Sequence, residues 1–193
     1  PVAFRFLGSY TPPLYTYLSA PIVAAAGLNV TSVRFLSALC GVLNILIIFL
    51  LVKSLNLFKF RRTPVIGAFL FSILPWSVFF ARIGYEMNLA LTIFSAGILA
   101  LWLGLKKPWF IILGLTLLSL STYAAHTQLY LAPLFIIVFV AVFRKILLGK
   151  SHLKLALAGV AIAVILQIPH FFLLATPAFW NKTDLFYKNS FFL

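Results

Sequence analysis

The stretch WFIILGLTLLSLSTYAAHTQLYLAPLFIIVFVAVF, residues 109–143, runs for 35 positions without one residue that is charged at neutral pH. As a single α-helix rising ~1.5 Å per residue it would be about 52 Å long. The hydrocarbon core of a bilayer is only about 30 Å thick. The run therefore has to fold back, and its one polar place to do so is Thr122-Tyr123-Ala124-Ala125-His126-Thr127-Gln128. The expectation is a hairpin of two membrane spans turned at those residues.

Composition supports the same solvent. Of 193 residues, 64% are hydrophobic and 9% charged, with a mean hydropathy of +1.14. Soluble domains are roughly half apolar and a quarter charged, so a water-soluble globule is excluded. Lysine and arginine total 15 against 2 acidic residues. In a soluble chain that excess suggests nucleic acid. Here the basic residues stand between apolar runs, as the positive-inside rule requires, and no nucleic-acid partner is expected. Cys40, the lone cysteine, lies inside an apolar run, so no disulfide framework exists.

Working outward from the hairpin, further spans are expected at Val33–Val52, Pro64–Ala81, Asn88–Leu105 and Leu155–Ala175. Pro75 lies within the second of these and predicts a kink. Pro12-Pro13 opens a shorter run, Leu14–Gly27, which carries Tyr15 and Tyr17. Tyrosine favours the headgroup level, so this piece is read as an interfacial or re-entrant helix. The fold class is thus all-α and polytopic, with six transmembrane helices plus that N-terminal helix. The chain begins at Pro1, has its single methionine at Met87 and ends on Phe191-Phe192-Leu193. It reads as one membrane-embedded domain over residues 1–193, truncated before Pro1 and after Leu193.

Ten of the fifteen basic residues fall on one side of this arrangement, in or beside segments 53–63, 106–108 and 144–154. The bias assigns those loops to the cytoplasm of a plasma (inner) membrane. The opposite face then collects Tyr10, Arg34, Arg82, Tyr85, Glu86, Tyr123, His126 and Gln128. Most informative is the island Ala81-Arg82-Ile83-Gly84-Tyr85-Glu86-Met87-Asn88, which carries the only acidic residue before Asp184. Arg82 and Glu86 are four apart, so on a continuous helix they share one face.

Each of these residues has two readings. Arg82 and Arg34 either snorkel to headgroups or hold an anionic group such as a lipid phosphate, which the guanidinium fork suits. Glu86 is Arg82's partner or a positioning group. His126 is a hydrogen-bonded turn residue or a catalytic one. His170 stays ambiguous inside the last span. Asn44, Ser72, Thr92 and Gln167 read as helix–helix hydrogen bonders. Asn29-Val30-Thr31 and Asn181-Lys182-Thr183 match the N-glycosylation pattern, which is common by chance. No second histidine or cysteine stands at zinc-ligand spacing, and no phosphate-binding glycine loop or nucleophile triad is spelled.

Several segments resemble, in order, those of GT-C fold membrane glycosyltransferases that use polyprenyl-phosphate sugars. This superfamily includes protein O-mannosyltransferases, lipid A aminoarabinose transferases and related bacterial enzymes. Ser9-Tyr10-Thr11-Pro12-Pro13-Leu14-Tyr15 resembles the entry after their first external loop, and Val33–Gly41 is similar to a span start. Pro75–Glu86 looks like their segment with a conserved-type arginine and glutamate, though Ala81 stands where serine is common. Leu120–His126 resembles a tyrosine–histidine hairpin turn. The resemblance implies sugar transfer with inversion from a polyprenyl-phosphate donor to a lipid, glycan or protein acceptor at the outer face. It implies that Arg82 and Arg34 bind the donor phosphate, while Glu86, Tyr85, Tyr10, Tyr123 and His126 position substrate. No cofactor is certain under it, and a divalent metal is left open. The acidic base it calls for has no counterpart before Glu86, so this piece is expected to be inactive alone. The alternative from another class is half of a transporter or lipid-carrying membrane protein, with Arg82 and Glu86 as a gate pair.

Overall fold

The structure, a computed structural model, describes residues 4–6, 9–55 and 61–174. A small antiparallel hairpin comes first: β1 (Phe4–Phe6) pairs with β2 (Ser9–Thr11), in the register Phe4↔Thr11. Helices make up the rest: α1 (Leu14–Ala26), α2 (Val30–Leu55), α3 (Thr63–Ile73), α4 (Pro75–Arg82), α5 (Glu86–Gly104), α6 (Trp109–Ser121), α7 (Gln128–Leu147) and α8 (Lys150–Leu174).

The hairpin expected between 109 and 143 is present. It turns over residues 122–127, between α6 and α7. α7 runs on to Leu147 and α8 begins at Lys150, so the basic segment 144–154 is mostly helical rather than loop. The break at Pro75 is present too. Leu74 is extended, Pro75 opens α4, and the two pieces meet at a bend of 58°. Proline suits that first helical position because its missing N–H needs no partner there.

Among the described residues the span count is lower than expected. Val30–Leu55, Glu86–Gly104, Gln128–Leu147 and Ser151–Phe172 are long and apolar enough to cross a membrane, and the bent pair α3–α4 brings the total to five. Helix α6 is the shortfall against six. At 13 residues it is about 20 Å long, too short for a core of about 30 Å. α1, also 13 residues with Pro21 inside it, is short in the same way, as its reading as a non-spanning helix anticipated.

Burial is distributed inside out relative to a soluble protein. Ser37, Asn44, Asn88, Thr92 and Ser95 are buried, whereas Val42, Trp76, Ile137, Phe171 and Phe172 are each more than 60% exposed. Two polar clamps tie the helices together. Between α2 and α5, Asn88 Nδ2 donates to Ser37 O at 2.6 Å and Asn44 Nδ2 donates to Asn88 Oδ1 at 3.1 Å. Thr92 Oγ1 donates to Asn88 O at 2.7 Å within α5 and reaches Cys40 O of α2 at 3.3 Å. Between α6 and α8, Gln167 Nε2 donates to Ser119 Oγ at 2.8 Å and Thr122 Oγ1 at 3.0 Å, while Ser119 Oγ donates to Ala163 O at 3.1 Å. Asn44, Thr92 and Gln167 thus bond across helices as expected. Ser72 does not: its hydroxyl turns back to Phe69 O at 2.7 Å within α3, the local bond serine makes when no neighbouring helix offers an acceptor.

Close approach depends on small residues. A Cβ at Gly114 would stand 2.8 Å from Leu101 N, and one at Gly97 would stand 3.2 Å from Leu118 N. Helices α5 and α6 therefore meet backbone to backbone, the geometry small residues permit where lipid supplies no hydrophobic drive.

Successive helices run up and down, so their ends sort into two groups. At one end Trp102 Nε1 donates to Ser54 O at 3.1 Å, near the chain positions of Lys53, Lys106, Lys107, Arg144 and Lys145. At the other end the α2 start, the α4–α5 break, the α6–α7 turn and α1 meet.

Candidate functional site

That second end is assembled from segments far apart in sequence. Leu14 N donates to Tyr123 O at 3.2 Å, joining α1 to the α6–α7 turn. Ala124 and Ala125 are fully buried, in a cluster with Leu36, Cys40, Leu89 and Ala90, against which Leu14, Tyr15 and Met87 pack. Tyr15 Oη donates to Val33 O at 3.1 Å.

The island is not one helix. α4 ends at Arg82, Ile83 and Tyr85 are extended, and α5 starts at Glu86. The expectation that Arg82 and Glu86 share a helical face therefore fails. Gly84 suits the local path: a Cβ there would stand a tight 3.2 Å from Val33 O, so glycine lets the break lie close on α2 without displacing it. Trp76, Phe80 and Tyr85 stack alongside, with ring centroids 5.3 and 6.1 Å apart. Arg82 is exposed and Glu86 is buried. A cation in the last turn of α4 and an anion in the first turn of α5 each oppose the partial charge of the helix end they occupy. Sequence spacing concealed this explanation for two charges in an apolar chain, because it assumed an unbroken helix.

Arg34 sits in the second turn of α2, on an open cleft of about 440 Å³ lined also by Leu28, Asn29, Val30, Val33 and Gly84. The start of α2 is held by a reciprocal cap. Ser32 N donates to Asn29 Oδ1 at 2.8 Å, and Asn29 N donates to Ser32 Oγ at 3.3 Å. Asn29 Nδ2 is spent on Ala26 O at 2.9 Å. The Asn29-Val30-Thr31 triplet is thus a helix cap, with its amide nitrogen engaged. The other acceptor triplet, 181–183, lies outside the described residues, as does the side chain of Tyr10, whose backbone belongs to β2.

Burial pushes the Tyr85 phenol above its ordinary pKa, and the Glu86 carboxylate adds to the effect. Tyr123 is raised by burial as well; its hydroxyl donates to Leu166 O on α8. Its ring lies 4.2 Å from that of His170. His126 stands in the same turn. Among the described residues, no group of three His, Cys, Asp or Glu could hold a metal ion.

A second cavity, about 450 Å³, lies between α6, α7 and α8. Most of its wall is aliphatic, and its polar members are Ser119, Thr122, Tyr130, Gln167 and His170. Gln167, His170 and Thr122 drew notice in the sequence one by one, but the cavity they share did not, because α6 and α8 supply polar residues some 45 positions apart.

Compared with known protein families, with curated proteins and with solved structures, the chain shows no significant match in any of the three.

Proposed function

We propose that the chain is the membrane core of a GT-C-type glycosyltransferase, which transfers a sugar from a polyprenyl-phosphate donor to a lipid, glycan or protein acceptor. In this reading it is a polytopic protein of the plasma (inner) membrane with up to five spans, its basic helix ends cytoplasmic and the Arg34–Arg82 end outside. One observation carries the reading: Arg34 lines an open cleft against the island glycine Gly84 at the start of α2. Arginine and a helix N-terminus both favour phosphate oxygens. Arg82, exposed two residues before Gly84, adds a second cation for the departing lipid phosphate. Positive charge there stabilises the leaving group in transfer.

The reaction also needs a base for the acceptor hydroxyl. No carboxylate precedes Glu86 in residues 1–85, and Glu86 is buried. The described residues thus supply the phosphate side of the chemistry, with Tyr85, Tyr123 and His126 as positioning groups beside it.

A second reading has an observation of its own. The broken pair α3–α4, bent by 58°, is the type of discontinuous helix that transporters place at a substrate site. One assay separates the two. Full-length protein in liposomes is given a radiolabelled polyprenyl-phosphate sugar, with acceptor on the same side. Label moving onto acceptor, reduced about 10²–10³-fold by Arg82→Ala, supports transfer. Wild-type transfer rates in that variant overturn the phosphate role, and label crossing the bilayer chemically unchanged favours transport.

A further inference from the structure

The cavity between α6, α7 and α8 is separate from the Arg34 cleft and shares no residue with it. It lies where α7 stands away from the α6–α8 pair. Those two helices meet closely at Gly159, where a Cβ would be 3.1 Å from Ile112 Cα. The open side is framed by Tyr130 of α7 and by Val164 and Phe171 of α8, all more than 50% exposed. In a membrane chain that side faces hydrocarbon.

The wall is graded along the helix axes. Leu115, Ile136 and Val160 form an aliphatic lower part. Gln167 and His170 lie two to three turns further along α8 and, with Ser119 and Thr122 of α6, form a polar upper part. Ser119 O can only accept, so its bond from Gln167 at 3.1 Å fixes which atom of that amide is nitrogen. The Gln167 nitrogen is spent on α6, and its carbonyl oxygen meets no donor among the described residues. Pro133, inside α7, has no N–H to give the carbonyl of Leu129, which also lines the cavity. His170 closes the same end with a buried Nδ1 that lacks a hydrogen-bond partner. The upper part thus offers the Gln167 and Leu129 carbonyls as acceptors, with the Tyr130 hydroxyl at its rim, and no lysine or arginine lines it. A volume of about 450 Å³ is within the roughly 300–1,000 Å³ range of ligand pockets.

We propose that this cavity binds one lipid whose head is uncharged and donates hydrogen bonds through hydroxyl groups. Its acyl chain lies between α7 and α8, and its head meets Gln167 and His170. Acceptors without a cation select a hydroxyl donor over a phosphate, so the ligand differs in class from the one assigned to Arg34 and Arg82. The inference rests on the membrane reading and is independent of sugar transfer.

The test uses full-length protein in nanodiscs and a photoreactive monoacylglycerol with a diazirine on its chain. Labelled peptides are mapped by mass spectrometry, and unlabelled monoolein competes against phosphatidylglycerol of the same chain. The expected result is labelling concentrated on Ile136, Val160 and Val164, competed at least about tenfold better by monoolein. Ile136→Trp and Ala163→Phe, which fill the cavity from opposite walls, should each reduce that labelling by about tenfold, with helicity and elution volume unchanged. Gln167→Leu should erase the preference for monoolein. Labelling spread evenly over the outward faces of α7 and α8 overturns the proposal, since that is bulk lipid. Equal competition by the two lipids overturns the head-group assignment. The competition arm uses unmodified protein, so the outcome does not depend on any variant folding.

Discussion

Asn44 and Asn88, 44 residues apart, meet in the interior at 3.1 Å. They are 1% and 3% exposed. Asn88 is the hub, since it also donates to Ser37 O and its own carbonyl accepts from Thr92. Truncating it leaves the Asn44 amide and the Ser37 carbonyl short of a partner in a site that water does not reach.

Asn88→Ala is accordingly expected to destabilise the folded protein by about 1–3 kcal/mol, the cost of leaving buried polar groups unsatisfied. The double variant Asn44→Leu/Asn88→Ala removes donor and acceptor together and should recover part of that loss. Unfolding by SDS titration in mixed micelles, followed by circular dichroism, measures both. Equal stability of Asn88→Ala and wild type would show that the clamp contributes nothing.

Gly114 and Gly67 differ in what a methyl group would meet. At Gly114 a Cβ would be 2.7 Å from Leu101 Cγ and 2.8 Å from Leu101 N, whereas at Gly67 the nearest atom is Val52 Cγ2 at 3.4 Å. Backbone cannot swing aside as a side-chain tip can. Gly114→Ala should cost about 1–3 kcal/mol by overpacking, and Gly67→Ala should stay within about 1 kcal/mol of wild type. The same micelle titration ranks them, and equal losses would refute the close α5–α6 contact.

What the sequence revealed and what it hid follow from the physics of each signal. A charge-free run longer than a bilayer has to turn, so the fold-back over 122–127 was legible from length and polarity alone. Pro75 was legible because a missing N–H breaks a helix wherever it falls. Asn44, Thr92 and Gln167 were legible as interhelical bonders because polar groups in apolar helices need partners. The break at 83–85 was hidden, because Gly84 packs closely on Val33, 51 positions earlier, and no local pattern announces a tertiary contact. With the break unseen, Arg82 and Glu86 looked like neighbours on one helix face, when they stand at the ends of two different helices. The shortness of α6 follows from the same signal as the fold-back, since a turn that opens at Thr122 leaves only 13 residues from Trp109.

Tyr123 gives a pH signature. Its phenol lies above the ordinary value of 10.0 in the folded protein because burial disfavours the phenolate. The folded state therefore keeps the proton at pH values where the unfolded chain has lost it. That contribution to stability is complete below about pH 10 and is lost as pH rises through the folded pKa. Tyr123→Phe cannot titrate and also loses the bond to Leu166 O. It should be less stable than wild type by about 0.5–1.5 kcal/mol at neutral pH, and the gap should narrow above pH 10. Thermal melts of both proteins between pH 7 and 11 test this, and a gap that widens with pH would contradict the assignment.

Arg34 carries the most specific functional expectation. Under the phosphate reading, its value lies in two parallel N–H donors as well as in charge. Arg34→Lys keeps the charge on a flexible stem and loses the planar fork, so it should restore only part of what Arg34→Ala removes. Arg34→Ala is expected to raise the donor KM by about tenfold or more with acceptor KM unchanged, and Arg34→Lys to fall between. A residue that only snorkels to headgroups would behave differently: lysine would replace it fully, and donor KM would match wild type. Donor and acceptor KM values for the three proteins, reconstituted at equal protein-to-lipid ratio, distinguish these outcomes. The Asn29–Ser32 cap holds the start of α2 independently of Arg34, so the variants should keep wild-type helicity and unfolding midpoints, leaving any change in KM attributable to the guanidinium.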